Sequence, residues 1–169
     1  MKVLNLYAGI GGNRKLWGGV EVTAVEINPE IAAIYKDFYP EDTVIIEDAH
    51  EYLLNHFQEY DFIWSSPPCQ SHSQIRYNLG VKNRGTRAIY PDLKLYEEIL
   101  LLKWYFDGCW IVENTRSFYE PLIPARFIGN HYFWSNFYIQ EIDTGNRNHR
   151  NGTVESLQER KLLDISQYD

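Results

Sequence analysis

The sequence predicts an α/β fold: a mostly parallel sheet with helices on both faces. Two observations carry this expectation. Short apolar runs alternate with helix signals along the chain, and most of the runs stop at glycine, proline or a polar residue. Strand–helix alternation of that kind builds parallel sheets with right-handed crossovers. The length of 169 residues, with 44% apolar and 23% charged residues, suits one ordinary soluble domain.

The first strand is expected at Lys2–Tyr7, an apolar run ending in glycines, with a short helix near Asn13–Trp17. Glu21–Glu26 reads as the second strand. Asn28 and Pro29 then start a helix, as N-cap and first-turn proline, that runs to about Phe38. Thr43–Glu47 is β-branched and reads as a third strand, followed by a helix at His50–Phe57. Asp61–Ser65 is the fourth strand, halted by Pro67 and Pro68. The segment from Ser71 to Pro91 reads as a long irregular loop, a length that is usually functional. Asp92 is expected to cap a helix whose Leu95, Ile99, Leu102 and Phe106 share one face. Cys109–Glu113 is the fifth strand, and His131–Ile139 holds one or two late strands around Ser135 and Asn136. A polar stretch, Thr144–Thr153, leads to a terminal helix near Val154–Leu163. The expected division is a main domain over residues 1–144 and a polar C-terminal extension over 145–169.

Composition excludes several classes. No apolar stretch reaches the ~18 residues of a membrane span, so no membrane association is expected. The N-terminal apolar run is too short for a signal peptide, which predicts a cytoplasmic protein. Two cysteines make no disulfide framework. Sixteen basic against 23 acidic side chains leave −7, the balance of a weak non-specific polyanion binder. Yet no carboxylate lies between Asp61 and Asp92, where Arg76, Lys82, Arg84 and Arg87 stand. That segment is either a solvated loop or one that faces an anion.

In parallel sheets ligands bind beyond the carboxyl ends of the strands, so the residues there matter most. After the first strand come Gly9, Gly11 and Gly12. A dinucleotide fingerprint needs another glycine where Arg14 stands, which weakens that reading. Glu26 ends the second strand, where a carboxylate can accept from a ribose diol. Asp48 follows the third strand, placed for an adenine amino group or equally for a helix N-cap. Together they outline a pocket for an adenosine carrying something other than a diphosphate. Cys69 follows two prolines beyond the fourth strand and is badly placed for core packing. Nearby arginines favour thiolate, the nucleophilic form. A buried structural thiol suits Cys109 better. Cys69 with His72 offers two zinc ligands where a structural site wants four, so no metal is expected. Glu113 follows the fifth strand, where a carboxyl group can assist attack on a ring that must be protonated.

This set resembles the DNA (cytosine-5)-methyltransferase family over roughly residues 1–140. The matching segments are Leu4–Gly12, Val25–Asn28, Glu47–Ala49, Ser66–Gln70 with Ser73, and Val112–Thr115. The resemblance implies a Rossmann-like S-adenosylmethionine-dependent methyltransferase fold and S-adenosylmethionine as cofactor. It implies that Tyr7, Gly9, Gly11, Gly12, Glu26, Ile27, Asp48 and Pro68 surround that cofactor. Cys69 would attack carbon 6 of cytosine, and Glu113 would hold ring nitrogen 3. Gln70, Ser73, Arg76, Lys82, Arg84 and Arg87 would contact DNA, the implied partner.

The chain departs from the family in four places. Asn5 stands where Asp is usual, and Thr115 where Val is usual. The Gln-x-Arg-x-Arg motif is not recognisable; Arg147 and Arg150 lie in a stretch that does not match it, and His131–Asn136 resembles short phage-type members. That similarity implies a bacterial or phage-infected host. Too few residues follow Thr144 for a target-recognition domain, and three expectations stand: half of a split enzyme whose pocket or recognition a second protein chain completes, a truncated form, or a minimal enzyme of low sequence specificity. Two other readings stand beside the enzyme: a non-catalytic module that binds DNA, cofactor or a partner methyltransferase, and an enzyme acting on RNA or a free nucleotide.

Overall fold

The structure is a computed structural model that describes residues 1–140. Its centre is a seven-stranded sheet in the order β3-β2-β1-β4-β5-β7-β6. The strands are β1 (Lys2–Leu6), β2 (Glu21–Val25), β3 (Thr43–Ile45), β4 (Phe62–Ser65), β5 (Cys109–Thr115), β6 (Arg126–Ile128) and β7 (His131–Ser135). The first five run parallel, whereas β7 lies antiparallel to β5 and β6 antiparallel to β7.

The parallel register aligns the strand ends in one row. Ile45 pairs with Val25, Val25 with Leu6, Leu6 with Ser65, and Ser65 with Val112. The residues one step beyond are therefore neighbours: Glu26, Tyr7, Ser66 and Glu113. The strands are buried on both faces, so side-chain packing against the two helix layers, and not an apolar–polar alternation, holds this register.

Helices cover both faces. α2 (Ala49–His56) and α4 (Lys94–Tyr105) pack Leu53, Leu95, Ile99 and Leu102 against Leu4, Leu6, Ile63 and Val112. α1 (Pro29–Phe38) lies on the opposite face, where Tyr35 packs with Ala8 and Ala24. Asn28 caps α1, its side chain accepting from the Glu30 and Ile31 amides. Trp17 packs edge-on against Phe62 and at a tilt against Trp64, centroids 6.4 and 5.9 Å away.

Several expectations need correction. The helix near Asn13–Trp17 is a single 3-10 turn, Arg14–Leu16. The loop after Ser71 is partly helical: α3 (Gln74–Tyr77) continues into a π-helical turn at Asn78–Lys82. Ser73 caps α3 by accepting from the Arg76 amide. Leu93 is the N-cap of α4, although the Asp92 carboxylate still accepts from the Lys94 amide at 3.1 Å. Cys109 opens β5 on its exposed end and is not a buried thiol. β6 has no counterpart among the expected strands; its three residues carry no alternation long enough to read. Arg147, Arg150, the polar stretch and the helix near Val154–Leu163 lie outside the described residues. Among the described residues, no helix is long and apolar enough to cross a membrane.

Arg14, which breaks the dinucleotide fingerprint, has a structural use. Its guanidinium donates to Asp42 at 2.7 and 2.9 Å, and Tyr35 donates to the same carboxylate at 2.8 Å. Asp42 is buried, so removing it strands a guanidinium and a phenol together. Asp42→Ala is expected to lower the unfolding free energy by about 3 kcal/mol in urea denaturation, as buried pairs do on losing one partner.

Candidate active site

The turn after β1 is built on backbone conformations that favour glycine. Tyr7 has φ +55°, the one positive φ outside glycine among the described residues, and Gly9 and Gly11 follow at +55° and +83°. A left-handed non-glycine costs on the order of 1–3 kcal/mol and persists only when its surroundings hold it. The holding groups are visible. The Ala8 amide donates to the Val25 carbonyl at 3.0 Å. The Gly9 amide donates to Glu26 Oε2, and the Asn28 amide to Glu26 Oε1, both at 3.0 Å. Glu26 thus ties the glycine turn to the start of α1.

The three glycines divide the work. A Cβ on Gly9 or Gly12 would meet nothing within 4 Å, so both border open space. A Cβ on Gly11 would instead strike the Tyr39 ring, whose hydroxyl donates to the Gly11 carbonyl at 2.9 Å. Gly11 therefore also packs against the end of α1. Ile27 is exposed beyond β2. Asp48 caps α2, accepting from the His50 and Glu51 amides at 2.9 and 3.1 Å. Asn5 is buried, and its side-chain oxygen accepts from Asn13 at 2.8 Å.

Cys69 and Pro68 are exposed on the loop after β4. Pro67 is buried, and its carbonyl accepts from the Asn114 side chain at 3.0 Å. That bond locks the Pro-Pro-Cys loop to the strand bearing Glu113. The Cys69 carbonyl accepts from the His72 and Ser73 amides at 3.0 and 2.9 Å. His72 is buried, with Nδ1 at 2.5 Å from the Tyr119 hydroxyl. It anchors this loop, and no group of three or more candidate metal ligands occurs among the described residues.

Glu113 lies at the rim, its side chain 25% exposed. Oε2 accepts from the Ser66 hydroxyl at 3.4 Å, and Ser66 in turn accepts from Trp64 Nε1 at 2.7 Å. His131 Nε2 stands 3.5 Å from Glu113 Oε1, reaching across from β7.

The basic segment forms one wall of a groove of about 670 Å³. Gln70, Ser73, Arg76, Arg84 and Arg87 line it. Tyr77 stacks on Phe118 beside them, centroids 4.5 Å apart. Lys82 is outside the lining; its ammonium sits 5.9 Å above the Tyr77 ring.

Sequence reasoning missed Glu98. It is fully buried, on α4, and accepts three hydrogen bonds. Tyr7 donates at 2.5 Å to Oε1, Ser65 at 2.6 Å to Oε2, and His50 Nδ1 lies 3.2 Å from Oε1. The bond to Glu98 raises the His50 pKa, while burial, with the neighbouring carboxylate, raises that of Tyr7. The signal was present: Glu98 stands three residues after Leu95 and four before Leu102, on the apolar face. His131 stands out in the sequence only as part of a motif, and β7 pairing alone brings it to Glu113.

The sheet order is that of the Rossmann-like α/β methyltransferase fold. A hypothetical protein from Thermus thermophilus shares the fold at TM-score 0.54 and 19% identity, over 79% of this chain and 73% of its own. The family model for C-5 cytosine-specific DNA methylase matches residues 1–99, and the chain belongs to that family. A tRNA (cytosine(38)-C(5))-methyltransferase from Spodoptera frugiperda is 34% identical over 134 residues, 75% of this chain and 39% of the relative. The human enzyme of the same name is 24% identical over 125 residues, 70% of this chain and 31% of the relative. The chain thus spans well under half the length of these relatives.

Burial lowers the His72 pKa below its ordinary value near 6.5. The unfolded chain then binds this proton more readily than the folded one, so His72 costs stability as pH falls below about 6.5. His72→Gln is expected to melt lower than the parent at pH 7.5, with the gap narrowing at pH 5.5. Calorimetric melting of both proteins at the two pH values checks this.

Proposed function

We propose that the chain catalyses transfer of a methyl group from S-adenosylmethionine to carbon 5 of cytosine in nucleic acid, DNA first, through a covalent Cys69 adduct. One observation carries the reading. The Asn114–Pro67 hydrogen bond fixes the Cys69 loop beside Glu113, on the same sheet edge as the glycine turn gripped by Glu26.

The donor set fits the cofactor. Gly9 and Gly12 leave open space, Glu26 offers carboxylate oxygens to a ribose diol, and exposed Ile27 offers an apolar face to a purine. Gly11, Asp48, Tyr7 and Pro68 complete the proposed surround. When bound, S-adenosylmethionine supplies an electrophilic methyl group.

The residues do the rest. Cys69 as thiolate attacks carbon 6, and a carbon–sulfur bond forms. The Glu113 carboxyl gives its proton to ring nitrogen 3, which takes up the displaced electron pair. Carbon 5 is then nucleophilic and accepts the methyl group. Loss of the carbon-5 proton to solvent base breaks the carbon–sulfur bond, expels the Cys69 thiolate and returns the nitrogen proton to Glu113. In a duplex the cytosine must leave the stack to reach these groups. Gln70, Ser73 and the arginines of the groove hold the backbone, with Lys82 at its edge.

The names of the tRNA-modifying relatives favour a second reading, in which the cytosine lies in tRNA. Incubation with tritiated donor and either DNA or tRNA separates the two. Incorporation is expected into DNA, and Cys69→Ala is expected to abolish it while the fold survives. Incorporation into tRNA alone transfers the same mechanism to RNA. Undiminished transfer by Cys69→Ala contradicts the covalent step.

Two further outcomes are expected. Glu26→Ala should weaken S-adenosylmethionine binding about 10–100-fold in calorimetry, the worth of one or two bonds to a charged group, and leave nucleic-acid affinity near the parent's. Neutralising Arg76, Lys82, Arg84 and Arg87 together should flatten the dependence of log affinity on log salt, by about 0.9 for each duplex phosphate that is no longer neutralised.

A further inference from the structure

Glu98 poses a chemical question. Its position on α4 is an apolar one, and a fully buried carboxylate costs far more than the leucine that would fit there unless donors surround it. Three donors do, and they come from three different elements. His50 belongs to α2, Tyr7 ends the β1 side of the glycine turn, and Ser65 closes β4.

Two of these donors lead directly into the loops of the site. Beyond Tyr7 lie Ala8 and Gly9, whose amide grips Glu26. Beyond Ser65 lies Ser66, whose hydroxyl reaches Glu113, and then the Pro-Pro-Cys loop. Tyr7 is also the residue held in the left-handed conformation, and its hydroxyl has the shortest bond to the carboxylate. A carboxylate accepts on both oxygens at a fixed separation, so it sets the two hydroxyls relative to each other; no apolar side chain can do so.

We propose that Glu98 is a positioning residue that holds the cofactor turn and the nucleophile loop in register through Tyr7 and Ser65. The proposal rests on the methyl-transfer reading above. Oε1 fixes the Tyr7 phenol and with it the direction of the Gly9 amide. Oε2 fixes Ser65 and with it the start of the Cys69 loop. His50 Nδ1 lies 3.2 Å from Oε1, and the same carboxylate raises the His50 pKa. Glu97 and Lys94 of α4 face His50 as well, with opposite electrostatic effects on it.

Two readouts test this without turnover. One is the affinity for S-adenosylhomocysteine by calorimetry. The other is the alkylation rate of Cys69 by iodoacetamide, resolved from Cys109 by peptide mass spectrometry. Tyr7→Phe is expected to weaken S-adenosylhomocysteine about tenfold, a charge-assisted bond's worth, and to leave Cys69 alkylation near the parent rate. Ser65→Ala is expected to change the alkylation rate severalfold and leave the affinity near the parent's. Glu98→Gln is expected to move both, and Tyr7→Phe added to it should cost less than about twofold more, since the partner is already impaired.

A merely structural Glu98 would lower the melting temperature of these variants and leave both readouts of the folded protein unchanged, which overturns the proposal. Full additivity of Tyr7→Phe and Glu98→Gln overturns it too. Should Glu98→Gln not fold, the two single-hydroxyl variants decide: both readouts unmoved overturns the proposal, and the split described above supports it. A parent protein that binds no S-adenosylhomocysteine overturns the cofactor reading itself, and this proposal with it; binding by the parent with additive variants overturns this proposal alone.

Discussion

The row of backbone pairs Ile45, Val25, Leu6, Ser65 and Val112 is the constraint on which the site depends. Parallel hydrogen bonding sets neighbouring strand ends side by side, and packing against the helix layers on both faces opposes a slip. Glu26, Tyr7, Ser66 and Glu113 then follow as consequences of register. They come from segments far apart in sequence, and the sheet brings them to one edge before any of them makes a side-chain contact.

Polar groups convert that alignment into a shaped site. Glu26 spends its oxygens on two backbone amides, which makes a rigid clasp out of a strained turn. Asn114 does the same for the proline loop, and its own oxygen accepts from the Thr115 amide at 2.9 Å. Beneath both lies Glu98. Arrangements of this kind place strain at the rim and cohesion in the layer below, where a satisfied buried network is worth more than an isolated surface bond.

Much of this was legible in the sequence because strand ends are marked by punctuation. Glycines after β1, Asn28–Pro29 after β2 and the two prolines after β4 disclosed where the sheet edge would be, and hence where Cys69, Glu26 and Glu113 would gather. Asp48 illustrates a limit: one carboxylate at a strand end serves as helix cap or as ligand contact, and composition does not separate them. Arg14 and Gly11 illustrate another. Arg14 reads in the sequence only as a missing glycine and Gly11 as a ligand contact, yet each has a long-range partner, Asp42 and Tyr39, that only the tertiary fold supplies. Cys109 reads as buried because it falls within the fifth strand, yet it sits at that strand's exposed start. Glu98 is silent in the apolar periodicity of α4, although its spacing sets it on the same face as Leu95 and Leu102.

The central claim is that Cys69 is a nucleophile toward cytosine. The most direct measurement offers the protein DNA carrying 5-fluorocytosine together with S-adenosylmethionine, then seeks a denaturation-stable complex and maps it by mass spectrometry. Fluorine blocks the final elimination, so an adduct on the peptide holding Cys69 is the expected result. Methyl transfer to ordinary cytosine with no trapped complex, or a complex attached at any other residue, would contradict it.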